Sequence, residues 1–338
     1  MTAPVTATIK LEMPNQDHLF EHLKENAKYA NPSNVIDRGM GAGKTVIICG
    51  AGPSLADQHV LLRTMPAHQV WGCNSALPYL ADHRLPVTHG ITVDMSEEMY
   101  TDPYEWQRTF PVRYLVASGV MPQLIQHLRK ANRAYRMFHS YLGIPNPEGW
   151  HPPDGWTPPE PNMNTYEMYL YQTIYPPTVQ VGYGLNTVPR AICLALWMEY
   201  KRIVVLGADC ACAPTGTPMP HDIDSPEYVP WLESLRLYAD GRTPAKYGPN
   251  AVMSQGILEG RFWHTRPDML ISMRHLVDLE KRYPQTIELV GDTLPNAAKR
   301  MDQTWWDQLP NLNGAAGVEG FHLNVPPSLD NSEEVSHG

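Results

Sequence analysis

Short runs of β-branched and apolar residues alternate along the chain with stretches in which apolar residues recur every three or four positions. The first pattern is typical of buried strands, and the second of helices packed on one face. The predicted strands are residues 45–49, 69–73, 87–93, 113–118, 202–206 and 286–290. The predicted helices are residues 15–30, 76–81, 123–134, 187–200 and 267–283, with a further helix opening after residue 52. This alternation predicts an α/β fold with a Rossmann-like, doubly wound and mainly parallel sheet.

Two stretches break this pattern and are rich in proline and aromatic residues. Seven prolines lie in residues 143–161, and residues 210–262 combine proline, glycine and aromatic side chains. Long irregular connections of this kind are often functional. We therefore predict a nucleotide-binding domain over residues 45–300, with lid insertions at 143–183 and 210–262. An N-terminal helical extension (1–44) precedes it, and a polar, mobile C-terminal tail (301–338) follows.

Composition narrows the function without fixing it. The net charge of −9 disfavours a protein that binds nucleic acid mainly through phosphates, because that mode of binding needs a basic face. The five cysteines are odd in number and fit no zinc spacing, which favours free thiols in a reducing compartment. No apolar run approaches the roughly 20 residues of a membrane span, and no signal peptide opens the chain. The sequence predicts a cytoplasmic protein without membrane contact, and a homo-oligomer is compatible with it.

A glycine-containing turn follows the first predicted strand and opens a helix, as a nucleotide-binding loop should. Glycines let a ligand approach the backbone closely, and a helix start supplies unpaired N–H groups. A tight strand-to-helix turn without a ligand is the alternative. The candidate nucleotide-binding residues of this turn are Gly50, Ala51, Gly52, Pro53 and Ser54.

Polar residues follow three further predicted strands: Asn74, Asp94 and Asp209. In open α/β sheets the ligand crevice lies at the carboxyl ends of the strands, which favours a shared site. Helix capping by each residue separately is the alternative. Carboxylates and phosphates are the ligands that Mg²⁺ prefers, so Asp94 and Asp209 are candidate catalytic and metal-binding residues.

Four segments resemble one protein family. They are residues 46–55 (Val-Ile-Ile-Cys-Gly-Ala-Gly-Pro-Ser-Leu), residues 71–75 (Trp-Gly-Cys-Asn-Ser), residues 186–209, and residues 262–268 (Phe-Trp-His-Thr-Arg-Pro-Asp). Together they are similar to the family that joins archaeal 6-hydroxymethylpterin diphosphokinase-like proteins (the DUF115 group), bacterial motility accessory factors and bacterial CMP-sialic-acid-dependent sialyltransferases. The order of the segments is kept over roughly residues 45–295.

The resemblance implies a role for individual residues. The glycine turn and Asn74 would hold the nucleotide, Asn186 and Thr187 would contact the donor, and His264 would be the general base that deprotonates an acceptor hydroxyl. The chain departs from the sialyltransferases after Asp209, where cysteines stand in place of phosphate-binding tyrosines. His221, Arg261 and Arg266 are the candidates to serve the phosphate instead.

Three functions fit these observations. The first is a glycosyltransferase that uses a CMP- or UDP-type nucleotide sugar. Its acceptor is open among a glycan, a protein, a small molecule and a modified DNA base, the last because similar genes occur in bacteriophages. The second is a diphosphokinase that transfers pyrophosphate from ATP to a hydroxymethyl group with Mg²⁺. The third is a nucleotide-binding protein without catalysis, since fold does not fix function.

Overall fold

The computed structural model describes residues 16–100, 105–143, 145–159, 163–177, 180–182, 184, 186–217, 219–220, 225–228, 230–231, 235, 238–241 and 254–301. The strands are β1 (Thr45–Cys49), β2 (Gln69–Cys73), β3 (His89–Thr92), β4 (Arg113–Ala117), β5 (Tyr135–Ser140), β6 (Gln180–Val181), β7 (Arg202–Leu206), β8 (Ser254–Leu258), β9 (Arg261–Thr265) and β10 (Ile287–Leu289). The α-helices are α1 (Gln16–Ala27), α2 (His59–Thr64), α3 (Ala76–Asp82), α4 (Pro122–Lys130), α5 (Tyr166–Ile174), α6 (Thr187–Trp197), α7 (Pro267–Arg282) and α8 (Leu294–Lys299). Three 3₁₀-helices cover Pro53–Gln58, Glu97–Tyr100 and Trp106–Arg108.

Eight strands form one sheet in the order β10-β7-β1-β2-β3-β4-β5-β6, and every neighbouring pair is parallel. The chain steps outward from β1 to β6 and then returns to place β7 on the other side of β1. The direction of winding therefore reverses between β1 and β7. In open α/β sheets ligands bind outside the carboxyl ends of the strands at this switch point.

Both faces of the sheet are covered, which is why its central strands read as continuous apolar runs. Val46, Ile47 and Ile48 of β1 are fully buried, as are Ile203 and Val204 of β7. One apolar core contains residues of α1, α4, α6 and α7, and a second contains residues of α2 and α3. The predicted Rossmann-like α/β fold with a mainly parallel sheet is confirmed.

Several elements lie where the sequence predicted irregular chain. Helix α5 and strand β6 fall within residues 143–183, and β6 extends the main sheet by pairing with β5. Strands β8 and β9 form an antiparallel hairpin that begins inside residues 210–262. Helix α1 was predicted in an extension, yet its Leu19 and Leu23 are buried in the main core. The predicted C-terminal tail lies outside the described residues, apart from Met301.

Two further findings concern cysteines and membranes. All five cysteines are unpaired and buried, as expected of structural thiols. Within the described ranges, no helix combines the length and apolar character needed to cross a bilayer.

Candidate functional site

A cavity of about 1,230 Å³ opens at the carboxyl ends of β1, β2, β3 and β7. Pockets for single drug-sized ligands measure roughly 300–1,000 Å³, so this cavity has room for two substrates. Its walls come from the turns after these strands, the start of α6, one face of α1 and the start of α7. Nine of the candidates named from the sequence line it: Gly50, Ala51, Gly52, Asn74, Asp94, Asn186, Thr187, Asp209 and Arg266.

The turns after β1 and β7 are locked together by hydrogen bonds. The N–H of Gly50 donates to Leu206 O and the N–H of Gly52 donates to Gly207 O, both over 2.8 Å. A Cβ on Gly52 would lie 2.1 Å from Asp209 Oδ2, closer than real atoms approach. The two glycines therefore allow the close contact between the backbone turns, and the N–H group of each is already paired.

Asp209 completes this lock at the start of the 3₁₀-helix. Its carboxylate accepts hydrogen bonds from the Ser54 backbone N–H at 3.2 Å and from the Ser54 hydroxyl at 2.9 Å. Pro53 and Ser54 thus lie behind the turn and do not line the cavity. The N–H group predicted to meet a phosphate is held by the protein's own carboxylate.

Burial sets the protonation of Asp209. Desolvation raises the pKa of its carboxyl to about 7, and the hydrogen bonds from Ser54 oppose this rise. Since the folded-state value lies near neutrality, the charge of this residue changes over the pH range in which proteins work.

Asn74 and Asp94 bring unpaired oxygens to the cavity. Asn74 adopts left-handed backbone geometry (φ 46°), and its buried Oδ1 lacks a hydrogen-bond partner among the described residues. Asp94 accepts from the N–H and hydroxyl of Ser96 through Oδ1, at 2.9 and 2.7 Å. Its second oxygen meets no donor in the described part of the chain. Asp94 thus has an oxygen available to a ligand, and Asn74 has a buried oxygen that a ligand would satisfy once the side chain turns toward it.

Helix α6 starts at the cavity wall. The Asn186 side chain caps it by accepting from the Val188 N–H, and its amide nitrogen donates to the Ser272 hydroxyl over 2.7 Å. Thr187 is only 5% exposed, and its hydroxyl makes no hydrogen bond to a described residue. The start of α6 therefore offers the cavity a fixed amide and an available hydroxyl.

His264, the predicted general base, does not join this group. His264 lies in β9, is fully buried and does not line the cavity. Its Nε2 is 3.0 Å from Thr217 O and 3.2 Å from the Thr215 hydroxyl, and burial lowers its pKa. This environment is that of a packed core histidine. His221, the other candidate, lies outside the described residues.

Sequence reasoning missed other residues of the cavity wall. Helix α1 contributes a polar face at helical spacing, consisting of His18, Glu21, His22 and Glu25. That stripe is visible in the sequence, but spacing alone does not tell which neighbour it faces. Arg190 was not predicted, because it stands in an apolar helix. Arg266, considered earlier as a phosphate residue, lines the cavity and is ion-paired with Asp268.

The residues present do not build a Mg²⁺ site on their own. Asp209 directs its carboxylate at Ser54, and Asp94 uses one oxygen for Ser96. Among the residues that the structure describes, no three carboxylate, histidine or cysteine side chains converge as metal ligands. The predicted metal role of the two aspartates therefore lacks a donor set here.

A family model described as 6-hydroxymethylpterin diphosphokinase MptE-like matches residues 17–215, more than half of the chain. The chain belongs to the MptE-like family. The matched region of this MptE-like chain contains β1 to β7 and most of the cavity wall. Membership confirms the resemblance to the DUF115 group that the glycine turn and Asn74 indicated.

A solved structure, the MAf glycosyltransferase from Magnetospirillum magneticum AMB-1, has a similar fold. The TM-score is 0.54 at 11% sequence identity, and the similarity covers 87% of the MptE-like chain but 42% of that longer protein. At this identity the likeness shows that the two proteins share a fold. No curated protein matches the MptE-like chain in sequence.

Proposed function

We propose that this MptE-like chain is a nucleotide-dependent glycosyltransferase that moves a sugar from a nucleotide-sugar donor to an acceptor hydroxyl. Membership in the family supports a nucleotide-related transferase in general. The observation that carries the proposal is one cavity at the switch point of the sheet, with room for a donor and an acceptor. The sugar-transfer assignment is favoured because the described residues of the cavity provide no metal donor set of their own.

The nucleoside is proposed to lie along the glycine turn (residues 50–54) and the end of β2. The buried, unpaired Oδ1 of Asn74 would accept a hydrogen bond from the base or the ribose. The Thr187 hydroxyl, across the turn, would contact the donor. The transferred sugar would then face Asp94 and the polar side of α1.

Asp94 is our candidate general base, in place of His264. Neighbouring strands lie about 4.8 Å apart, so the end of β3 is on the order of 10 Å from the glycine turn after β1. That distance suits an acceptor held beyond the donor sugar. The acceptor oxygen bonds to the anomeric carbon, the bond from that carbon to the donor phosphate oxygen breaks, and Asp94 takes the acceptor proton. The electron pair leaves with the nucleotide.

A diphosphokinase is the second candidate, and two observations favour it. The family model carries that description, and Asp94 and Asp209 both line the cavity. In this reaction a hydroxymethyl oxygen would attack the β-phosphorus of ATP, pyrophosphate would be transferred, and AMP would leave. Mg²⁺ would have to be held largely by the phosphates.

The first test is a thermal-shift screen with nucleoside mono-, di- and triphosphates and their sugar conjugates, with Mg²⁺ and with chelator. A ligand at 100 times its Kd adds about 2.7 kcal/mol of stability. We expect a shift with one nucleotide and its sugar conjugate that survives chelator. A shift with ATP alone, and only with Mg²⁺, would favour the diphosphokinase.

Donor hydrolysis gives the matching catalytic readout. General-base catalysis contributes roughly 10²- to 10⁴-fold, so Asp94→Asn should bind the donor and lose that factor in turnover. Asp57→Asn, at an exposed position outside the cavity, is the matched control. Binding with no turnover in the unmodified protein, with any acceptor class offered, would support the non-catalytic alternative.

A further inference from the structure

A buried arginine forms part of the cavity wall. Arg190, in the first turn of α6, is 5% exposed and still lines the cavity. Its Nε donates to Gly184 O over 2.7 Å, and its Nη1 donates to the Ser140 hydroxyl. The second amino group, Nη2, has no hydrogen-bond partner among the described residues. The guanidinium is therefore fixed on one side and available on the other.

No carboxylate of the described residues forms an ion pair with Arg190. Glu167, whose oxygens accept from the N–H groups of Leu142 and Gly143 at 2.9 and 3.0 Å, acts on Arg190 electrostatically without an ion pair between them. Burial lowers the pKa of Arg190 to about 10, which leaves it protonated at neutral pH. A buried charge without a direct counter-ion is costly, and an anionic ligand at this position relieves that cost.

The other candidate anion sites of the cavity are already occupied by protein groups. The Ser54 N–H is bound by Asp209, and Arg266 is ion-paired with Asp268. At the start of α6, Asn186 takes the Val188 N–H and Pro189 has no N–H, which leaves few backbone donors and gives the side chains the larger part in recognition. Thr187 and Arg190, both more than nine-tenths buried, are those side chains.

We infer that Thr187 and Arg190 form the site that binds an anionic oxygen group of the donor, its phosphate or a carboxylate on the transferred sugar. The inference rests on the proposed function for the identity of the ligand. It moves charge recognition from the glycine turn to the start of α6. Arg190 would bind the leaving group or the sugar and would not transfer a proton itself.

The test compares charged and uncharged ligands by calorimetry. The probes are cytidine and uridine, CMP and UMP, UDP-glucose and UDP-glucuronate, and inorganic pyrophosphate. Charge-assisted hydrogen bonds of this kind are worth about 10- to 100-fold in affinity. Arg190→Met should lose that factor for the anionic group and keep the affinity for the nucleosides.

The arms separate the two sources of the anion. A loss for CMP or UMP and for pyrophosphate assigns Arg190 to the phosphate. A loss for UDP-glucuronate with unchanged UDP-glucose and UMP binding assigns it to the carboxylate. Equal losses for nucleosides and nucleotides, or none for any anion, overturn the inference.

Controls keep a folding defect apart from a binding defect. Arg136→Met removes a half-buried arginine that donates to Val35 O away from the cavity, and it should bind every probe normally. If Arg190→Met fails to fold, Thr187→Val keeps the side-chain shape and should lose several-fold affinity for the anion only.

Failure of the proposed function gives a different result from failure of the inference. Nucleotide binding that is indifferent to Arg190 and Thr187 leaves the function standing and removes the anion site. Pyrophosphate binding that depends on Arg190, without binding of any nucleotide, keeps the anion site and removes the proposed function. Absence of binding by every probe overturns both.

Discussion

Asp209 lines the cavity, and its carboxylate also accepts hydrogen bonds from the backbone N–H and the hydroxyl of Ser54. Its carboxylate occupies the place where a phosphate was predicted, so the turn repels rather than attracts an anion whenever Asp209 is ionised. Because the pKa of this carboxyl is about 7, its protonated form persists to much higher pH than that of an exposed aspartate.

The raised pKa makes a prediction about stability and pH. The folded protein keeps this proton up to about pH 7, whereas the unfolded chain releases it near pH 3.9. The contribution of Asp209 to stability is therefore present at low pH and lost as the pH rises between these values, by an amount of a few kcal/mol. Asp209→Asn, which cannot ionise, should become more stable relative to the unmodified protein over this window, by several degrees in Tm.

Thermal unfolding of both proteins from pH 4 to pH 8 measures this difference. Asp57→Asn, an exposed aspartate, should show no comparable trend. A Tm difference between Asp209→Asn and the unmodified protein that stays constant with pH would contradict the raised pKa.

At the residue scale the sequence located the polar residues that end the strands at the cavity, whereas His264, the predicted base, lies buried outside it. Asn74, Asp94 and Asp209 were predictable because residues that end parallel strands meet at one edge of the sheet. His264 was not, because its orientation depends on the β8–β9 hairpin, whose first strand carries no clear alternation. Arg190 escaped prediction because a lone arginine in an apolar helix gives no sign of the cavity it borders.

At the scale of elements, the decisive contact is between the turns that follow β1 and β7. Gly50 and Gly207 would place added Cβ atoms 2.5 and 2.3 Å from each other's carbonyl oxygens. The two turns therefore fit only while both lack side chains at these points. This explains the sequence Gly-x-Gly after β1 without any appeal to a ligand.

This packing predicts the effect of Gly52→Ala. The new methyl group would collide with Asp209 Oδ2, although the φ of −64° suits alanine. Overpacking of this kind costs about 1–3 kcal/mol, so the variant should unfold at lower urea concentration. Gly256→Ala, in β8 with no atoms within 4 Å of the added Cβ, should unfold like the unmodified protein. Equal stability of the two variants would contradict a tight contact between the turns.

The apolar runs of β1 and β7 predicted those strands within their observed bounds, since both faces of each are covered. Strand β5 was missed because Arg136 and His139 interrupt its apolar character. Strand β6 has two residues, too few for any period to show. Strands β5 and β6 are thus set by tertiary pairing more than by local pattern.

At the scale of the whole molecule, charge limits the acceptor. Six acidic residues line the cavity against two arginines, and the net charge of the chain is −9. One of those arginines is already paired with Asp268. A polyanion would meet repulsion at the cavity, whereas neutral hydroxyl compounds would not.

We therefore predict weak binding of DNA, including duplexes with hydroxymethylated bases. Fluorescence anisotropy at physiological salt should give a Kd weaker than about 10⁻⁴ M, the weak end of non-specific binding. Tight binding with a steep loss of affinity as salt increases would contradict this expectation and favour a DNA acceptor. Neutral glycans, offered to the same preparation, provide the comparison.

The cavity draws its wall from His18 of α1 through to Leu276 of α7, so its lining spans most of the folded chain. A ribosome that has released only the strands up to β7 has not yet supplied the side formed by α7. The nascent chain would then fold through this interval without the stabilisation that a ligand bound in the completed cavity would give by mass action. The complete cavity therefore forms late in synthesis. A chain truncated before α7 would be distinguishable from the full chain because adding ligand would not stabilise it.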